Sequence, residues 1–192
     1  MSDTKTSDSA TTAEEKELVE NLKRREPAAA VELCNAYFDR IYRLVFSQVD
    51  GNRDVAQDIT QETFLAAFKS VQRFRGQSKV YTWLYSIANR KVADFYRRRK
   101  REAKHTAESL ESQVHEEQPD GKADSEEAQR AVQQTLADLP LHYKQVLLLK
   151  YVEEMPVVEI GQVMGRSPKS VEGLLTRARK EMRNKLTAQN EG

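Results

Sequence analysis

Towards the C-terminus, Val171, Leu174, Leu175, Ala178 and Met182 recur at helical spacings and form one apolar stripe. The positions between them carry Lys169, Ser170, Thr176, Arg177, Lys180 and Arg183, a basic face that also bears hydroxyls. Such a face fits a DNA major groove, where cationic side chains pair with phosphates or guanine edges. Glu172 lies in the same face and has the chemistry to accept from a cytosine amino group. Gly173 costs about 1 kcal/mol relative to Ala inside a helix, which predicts a packing or contact reason for it. A helical hairpin with a solvated basic face fits the same residues.

A second concentration of chemistry lies mid-chain. Tyr81, Trp83, Tyr85 and Tyr96 alternate with Arg90, Lys91, Arg97, Arg98 and Arg99. Unstacked bases need aromatic faces and their phosphates need cations; stacking is worth about 1–3 kcal/mol per base. Trp83 also adjoins an apolar stripe, which favours a place in the core or at its rim. Asp58, Gln61 and Glu62 share a polar helix face, and by residue type alone that face is a solvated one.

Nothing frames a catalytic nucleophile, and no Gly-rich phosphate loop ends in Lys. His105, His115, His142 and the single Cys34 are scattered and match no zinc spacing, so neither a cofactor nor a metal is expected.

The elements that must position these residues read as nearly all helix, without hairpin signals. Residues 1–12 are polar and small, and are expected to form a disordered tail. Helices are predicted at Ala13–Arg25, after Pro27, from Asp54 with a capping-box spacing to Gln57, and from Val80 past Arg97. Their stripes are read as Leu18 and Leu22; Ala30, Cys34, Tyr37, Ile41 and Val45; Val55, Ile59, Phe64, Phe68 and Val71; and Val80, Leu84, Ile87, Val92 and Phe95. The segment Glu108–Glu127 is strongly acidic and poor in large apolar residues, so it is read as a linker. Further helices are expected at about 128–137, 140–152, 157–163 and 168–186. Gly165 suits a left-handed cap, and Ser167-Pro168 suits a helix start, which makes a helix-turn-helix candidate.

Of 192 residues, 32% are charged, with a net charge of +1, so any basic surface must be offset by an acidic one elsewhere. No apolar run approaches membrane-spanning length, and the start lacks an apolar signal core. With one cysteine, these features predict a cytoplasmic protein without membrane insertion.

Several segments together carry a resemblance. They are Asp54 through Asp58, Gln61 and Glu62 to Phe64; Phe74-Arg75-Gly76-Gln77-Ser78 with Tyr81-Thr82-Trp83-Leu84; Asp94 with Arg97-Arg98-Arg99; Leu139-Pro140; Glu159-Ile160-Gly161; and Ser170-Val171 with Arg177-Ala178-Arg179. In this order, across a linker, they resemble the extracytoplasmic-function (ECF) sigma factors of bacterial RNA polymerase. The resemblance implies an all-α fold of two small helical domains joined by a flexible acidic linker. Its parts are a tail at 1–12, region two at 13–103, the linker at 104–127, and a helix-turn-helix region four at 128–188.

It also implies roles. Asp58, Gln61 and Glu62 match a face that docks on the clamp helices of core RNA polymerase. Arg75, Gly76, Gln77, Ser78, Tyr81, Thr82 and Trp83 match the segment that holds a flipped base of the melted −10 strand. Asn89, Arg90, Arg97 and Arg98 match the surface meeting the adjacent duplex. Arg166, Ser167, Lys169, Ser170, Glu172, Gly173, Thr176, Arg177 and Lys180 match the −35 reader. The implied partners are core polymerase, promoter DNA and an anti-sigma factor, with a monomer when free. Gly161 stands where the family usually has Ala, which predicts a looser first helix of the helix-turn-helix. Arg90 and Glu172 also depart from the usual residues, which predicts shifted promoter preferences.

Two other readings compete. A stand-alone helix-turn-helix regulator would dimerise and prefer a two-fold symmetric site. An adaptor that binds sigma partners without DNA would not need the basic faces.

Overall fold

The computed structural model describes residues 12–105 and 132–190. The tail expected at 1–12, apart from Thr12, lies outside them, as do the acidic linker, with His115 and the turn at Pro119, and the start of the helix expected at 128. Every regular element among the described residues is helical.

α1 (Ala13–Lys23) starts with a capping box in which Thr12 and Glu15 satisfy each other's backbone N–H groups. It stops short of the expected Arg25 because Arg25 adopts a left-handed conformation, φ 62°. α2 (Pro27–Gln48) begins at a proline whose missing N–H needs no partner there. Its buried side is Ala29, Leu33, Ile41, Leu44 and Val45, one position off the expected stripe at its start; Ala30, Cys34 and Tyr37 flank the core.

α3 (Arg53–Ser70) is capped by Asn52, whose side chain accepts from Val55 N at 3.0 Å. Asp54 therefore sits in the first turn and is not the cap expected from its spacing to Gln57. Its charge favours that end of the helix dipole. A 3₁₀ turn (Val71–Arg73) and a loop lead into α4 (Val80–His105).

The second half has α5 (132–137), α6 (Leu141–Leu147), α7 (Val157–Met164) and α8 (Pro168–Asn190). The single helix expected over 140–152 changes into a π-helical turn at Leu148–Val152. Gly165, at φ 63°, caps α7 as its residue type predicts. Gly161 contradicts the looseness expected of it. A Cβ there would lie 2.7 Å from the Arg166 carbonyl oxygen, and that turn is closed by Arg166 N donating to Gly161 O at 2.9 Å. Glycine makes the turn tight. Gly161→Ala is therefore expected to lower stability. The clash costs about 1–3 kcal/mol, which outweighs the helix-propensity gain of about 1 kcal/mol. A urea midpoint at or above that of the parent would contradict the turn geometry.

The halves pack against each other, chiefly through α4 with α7 and α2 with α6. Buried Gln48 donates to the Tyr85 hydroxyl at 2.8 Å and accepts from Gln145 Nε2 at 3.0 Å. Lys144, only 3% exposed, pairs with Asp50 at 2.6 Å. Polar residues of this kind read as surface in a sequence, so the contact between halves was not foreseeable from periodicity.

Candidate nucleic-acid interface

Three surfaces carry the residues singled out above. The first is a cleft of about 580 Å³ between the end of α3, the loop before α4 and the first turns of α4. Phe74 is buried and stacks on half-buried Trp83, with ring centroids 4.7 Å apart. Gly76 takes φ 68°, a turn glycine tolerates freely. Arg73, Arg75, Arg90 and Lys91 line the cleft around Trp83. An open apolar floor ringed by cations suits an unstacked base with its phosphates. Gln77 and Ser78 also line it, so the structure brings the expected loop residues together. Arg90 is held along its own helix, Nε donating to Ser86 O at 3.0 Å. Arg73 and Lys91 were missed as site residues. Lys91 was legible only as one member of the aromatic-basic segment.

Tyr81 and Thr82 lie elsewhere than the open cleft wall suggests. They are 5% and 2% exposed, beneath the second half. The Tyr81 hydroxyl donates to Glu153 Oε2 at 2.7 Å, and Thr82 Oγ1 donates to Glu159 Oε2 at 3.0 Å. Burial first, and then the Glu153 hydrogen bond, push the Tyr81 phenol above its ordinary pKa, so it remains a donor. Asn89 is buried, and its Oδ1 has no hydrogen-bond partner. Arg97 and Arg98 are exposed farther along α4, and Arg97 pairs with Asp94.

The second surface is α8. Val171, Leu174, Leu175 and Ala178 are buried, as the stripe predicts. Arg166, Ser167, Lys169, Glu172, Thr176, Arg177 and Lys180 are all exposed, with Ser170 and Gly173 partly so. Ser170 N donates to Ser167 Oγ at 3.3 Å, which supports the expected start of the helix. Open space surrounds the Gly173 Cα, so nothing within the chain itself crowds this face. Partial burial, then the Arg166 and Arg177 guanidiniums, hold His142 below its usual pKa. The positive potential of this face is therefore concentrated near the turn.

The third surface is on α3. Asp58 and Gln61 are exposed, and Glu62 is partly so, paired with Lys91 at 2.8 Å. Leu65, 58% exposed, extends the same face one turn further. It was missed because an apolar residue at that spacing reads as core, although Asp58 and Leu65 are seven apart and share a side.

Residues 33–102 match the family described as Sigma-70 region 2, and residues 129–182 match Sigma-70, region 4. The chain is 31% identical over 180 residues to the RNA polymerase sigma-H factor of Pseudomonas aeruginosa, covering 88% of this chain and 92% of that one. The chain belongs to the extracytoplasmic-function sigma factors of bacterial RNA polymerase. The ECF RNA polymerase sigma factor SigW of Bacillus subtilis is 29% identical, covering 89% of this chain and 96% of SigW. Sigma factors direct promoter recognition and transcription initiation, and this one carries both conserved regions. Its fold is that of solved sigma factors. RpoE in complex with the anti-sigma factor NepR from Bartonella quintana superposes with a TM-score of 0.67 at 18% identity, covering 81% of this chain and 95% of RpoE. CnrH in complex with the cytosolic domain of CnrY gives 0.66 at 22%, covering 91% of this chain and 97% of CnrH. Among the described residues of the sigma factor, no helix is long and apolar enough to cross a membrane.

Proposed function

We propose that the sigma factor divides promoter recognition between the cleft before α4 and the exposed face of α8, with Asp58, Gln61 and Glu62 docking it on core polymerase. Region two would occupy 13–103, the linker 104–127 and region four 128–188. The cleft takes an unstacked base of the −10 non-template strand on Trp83, with Arg73, Arg75, Arg90 and Lys91 meeting its phosphates. Asn89, Arg97 and Arg98 face the neighbouring duplex, and α8 reads the −35 element. The work is binding rather than catalysis, carried out in the cytoplasm by a chain that is monomeric when free. Polymerase holds two weak readers at a fixed separation, so each raises the effective concentration of the other. Melting is favoured because open strands gain stacking contacts that duplex does not. An anti-sigma factor fits as antagonist, since two solved relatives are held in complexes with such partners.

The observation that carries the base-capture reading is the aromatic floor of the cleft ringed by four cations. Trp83→Ala should remove about 1–3 kcal/mol of stacking, or roughly 10- to 100-fold in open complex. Permanganate reactivity of unpaired thymines reads this directly. Wild-type reactivity in the variant, at equal polymerase occupancy, would remove Trp83 from the strand-capture site.

A further inference from the structure

The two halves meet where acidic residues of the second lie on donors of the first. Glu153 Oε2 accepts from Arg40 Nε at 2.9 Å, Arg40 Nη2 at 2.7 Å and the Tyr81 hydroxyl at 2.7 Å. The Arg40 guanidinium also lies 3.6 Å over the Tyr81 ring. Glu159 accepts from Thr82, and its other oxygen lies 3.9 Å from Lys79 Nζ. A guanidinium, an ammonium and two hydroxyls converging on anionic oxygens are the donor set that a phosphate backbone uses.

The turn that delivers Glu153 is unusual. It follows the π-helical segment Leu148–Val152, and the next residue, Glu154, takes φ 52° without being glycine. Both features cost free energy and gather at functional sites. Coverage is also one-sided. Tyr81 and Thr82 are buried, and Gln162 of α7 lies at the edge of the strand cleft, whereas the α8 face stays exposed.

We propose that this is a self-inhibited state, in which Glu153 and Glu159 stand in for nucleic acid on the −10 segment while leaving the −35 reader free. The inference rests on the strand-capture reading above and adds an order to it: duplex contact through α8 comes first, and strand capture follows separation of the halves. The contact is built to release. Glu159 Oε1 is buried without a hydrogen-bond partner, so opening restores its hydration. Gln48, Gln145, Lys144 and Asp50 are likewise groups that water can satisfy once the halves part.

The test uses the full-length chain without polymerase. Glu153→Arg sets two guanidiniums against each other, and Arg40→Glu with Glu153→Arg restores the pair at the parent's net charge. Glu154→Arg, exposed and adjacent, controls for the added positive charge alone. Spin labels at Lys69→Cys and Asn184→Cys, in a Cys34→Ser background, report the separation of the halves. A fluorescent mixed-sequence single-stranded 12-mer reports strand binding. The Glu153→Arg chain should lengthen and broaden the distance distribution and bind the strand at least 10-fold more tightly than Glu154→Arg. The charge swap should return both readouts to the parent's. An unchanged distance in Glu153→Arg overturns the closed state and leaves the sigma reading intact. Separation without a gain in strand binding overturns the inhibition and, with it, the assignment of Tyr81 and Thr82 to the strand.

Discussion

Asp58→Arg combined with Gln61→Ala is expected to lower polymerase-dependent run-off transcription by at least ~100-fold, with the fold intact. Both side chains are exposed on α3 and support nothing beneath them. Reversing a charge at the centre of a complementary interface costs several kcal/mol, and truncating a central contact often costs 2 kcal/mol or more. Glu62 is a poorer choice because its pairing with Lys91 ties it to the strand cleft, so its loss would mix two effects. Leu65→Asp offers an independent check, since a charge on that exposed apolar side chain should weaken docking without touching the −10 or −35 surfaces. Circular dichroism and a thermal melt matching the parent's establish that the loss is one of docking. Near-normal transcription from the double variant would place the polymerase contact elsewhere.

Arg177→Glu should have the second largest effect. Arg177 stands on the open side of α8, opposite the buried Val171, Leu174 and Ala178. A good bidentate contact to a base is worth about 1–3 kcal/mol, and reversal adds repulsion from phosphate. Holoenzyme should therefore lose roughly 10- to 100-fold in affinity for a promoter carrying a −35 element. If the contact is to a base, the loss disappears on templates with a scrambled −35. If it is to phosphate, the loss persists on every sequence and the salt slope falls by about 1. Lys180→Ala, one turn further along, should behave in the second way. No loss on any template would remove α8 from the DNA interface.

The helices and the DNA-facing side of α8 were legible in the sequence because one apolar period placed Val171, Leu174, Leu175 and Ala178 together. That period leaves Lys169, Thr176, Arg177 and Lys180 on the other side. Gly165 and Ser167 marked the turn for backbone reasons that no packing overrides. The stripe of α2 was harder to place. Small and aromatic residues flank its true centre, and Leu33 is hidden among them. Asp54 and Asn52 are both competent caps, and only the geometry selects Asn52. The cleft was half legible. Its aromatic and basic types stood out, but Arg73 and the edge residue Gln162 reach it through the tertiary fold. The contact between the halves left no signal, because Gln48, Asp50, Lys144, Gln145, Glu153 and Glu159 are residues that usually face water. Gly161 shows the same limit from the other side: a family comparison of residue size suggested slack, and the carbonyl of Arg166 removes it.

The most direct test of the sigma factor's central activity is run-off transcription from a promoter library with purified core polymerase, with and without this protein. Specific transcripts that appear only with the protein, and share one −35 and one −10 element at a fixed spacing, are the predicted result. No transcript from any promoter, while the protein alone shifts one duplex at physiological salt, would contradict it.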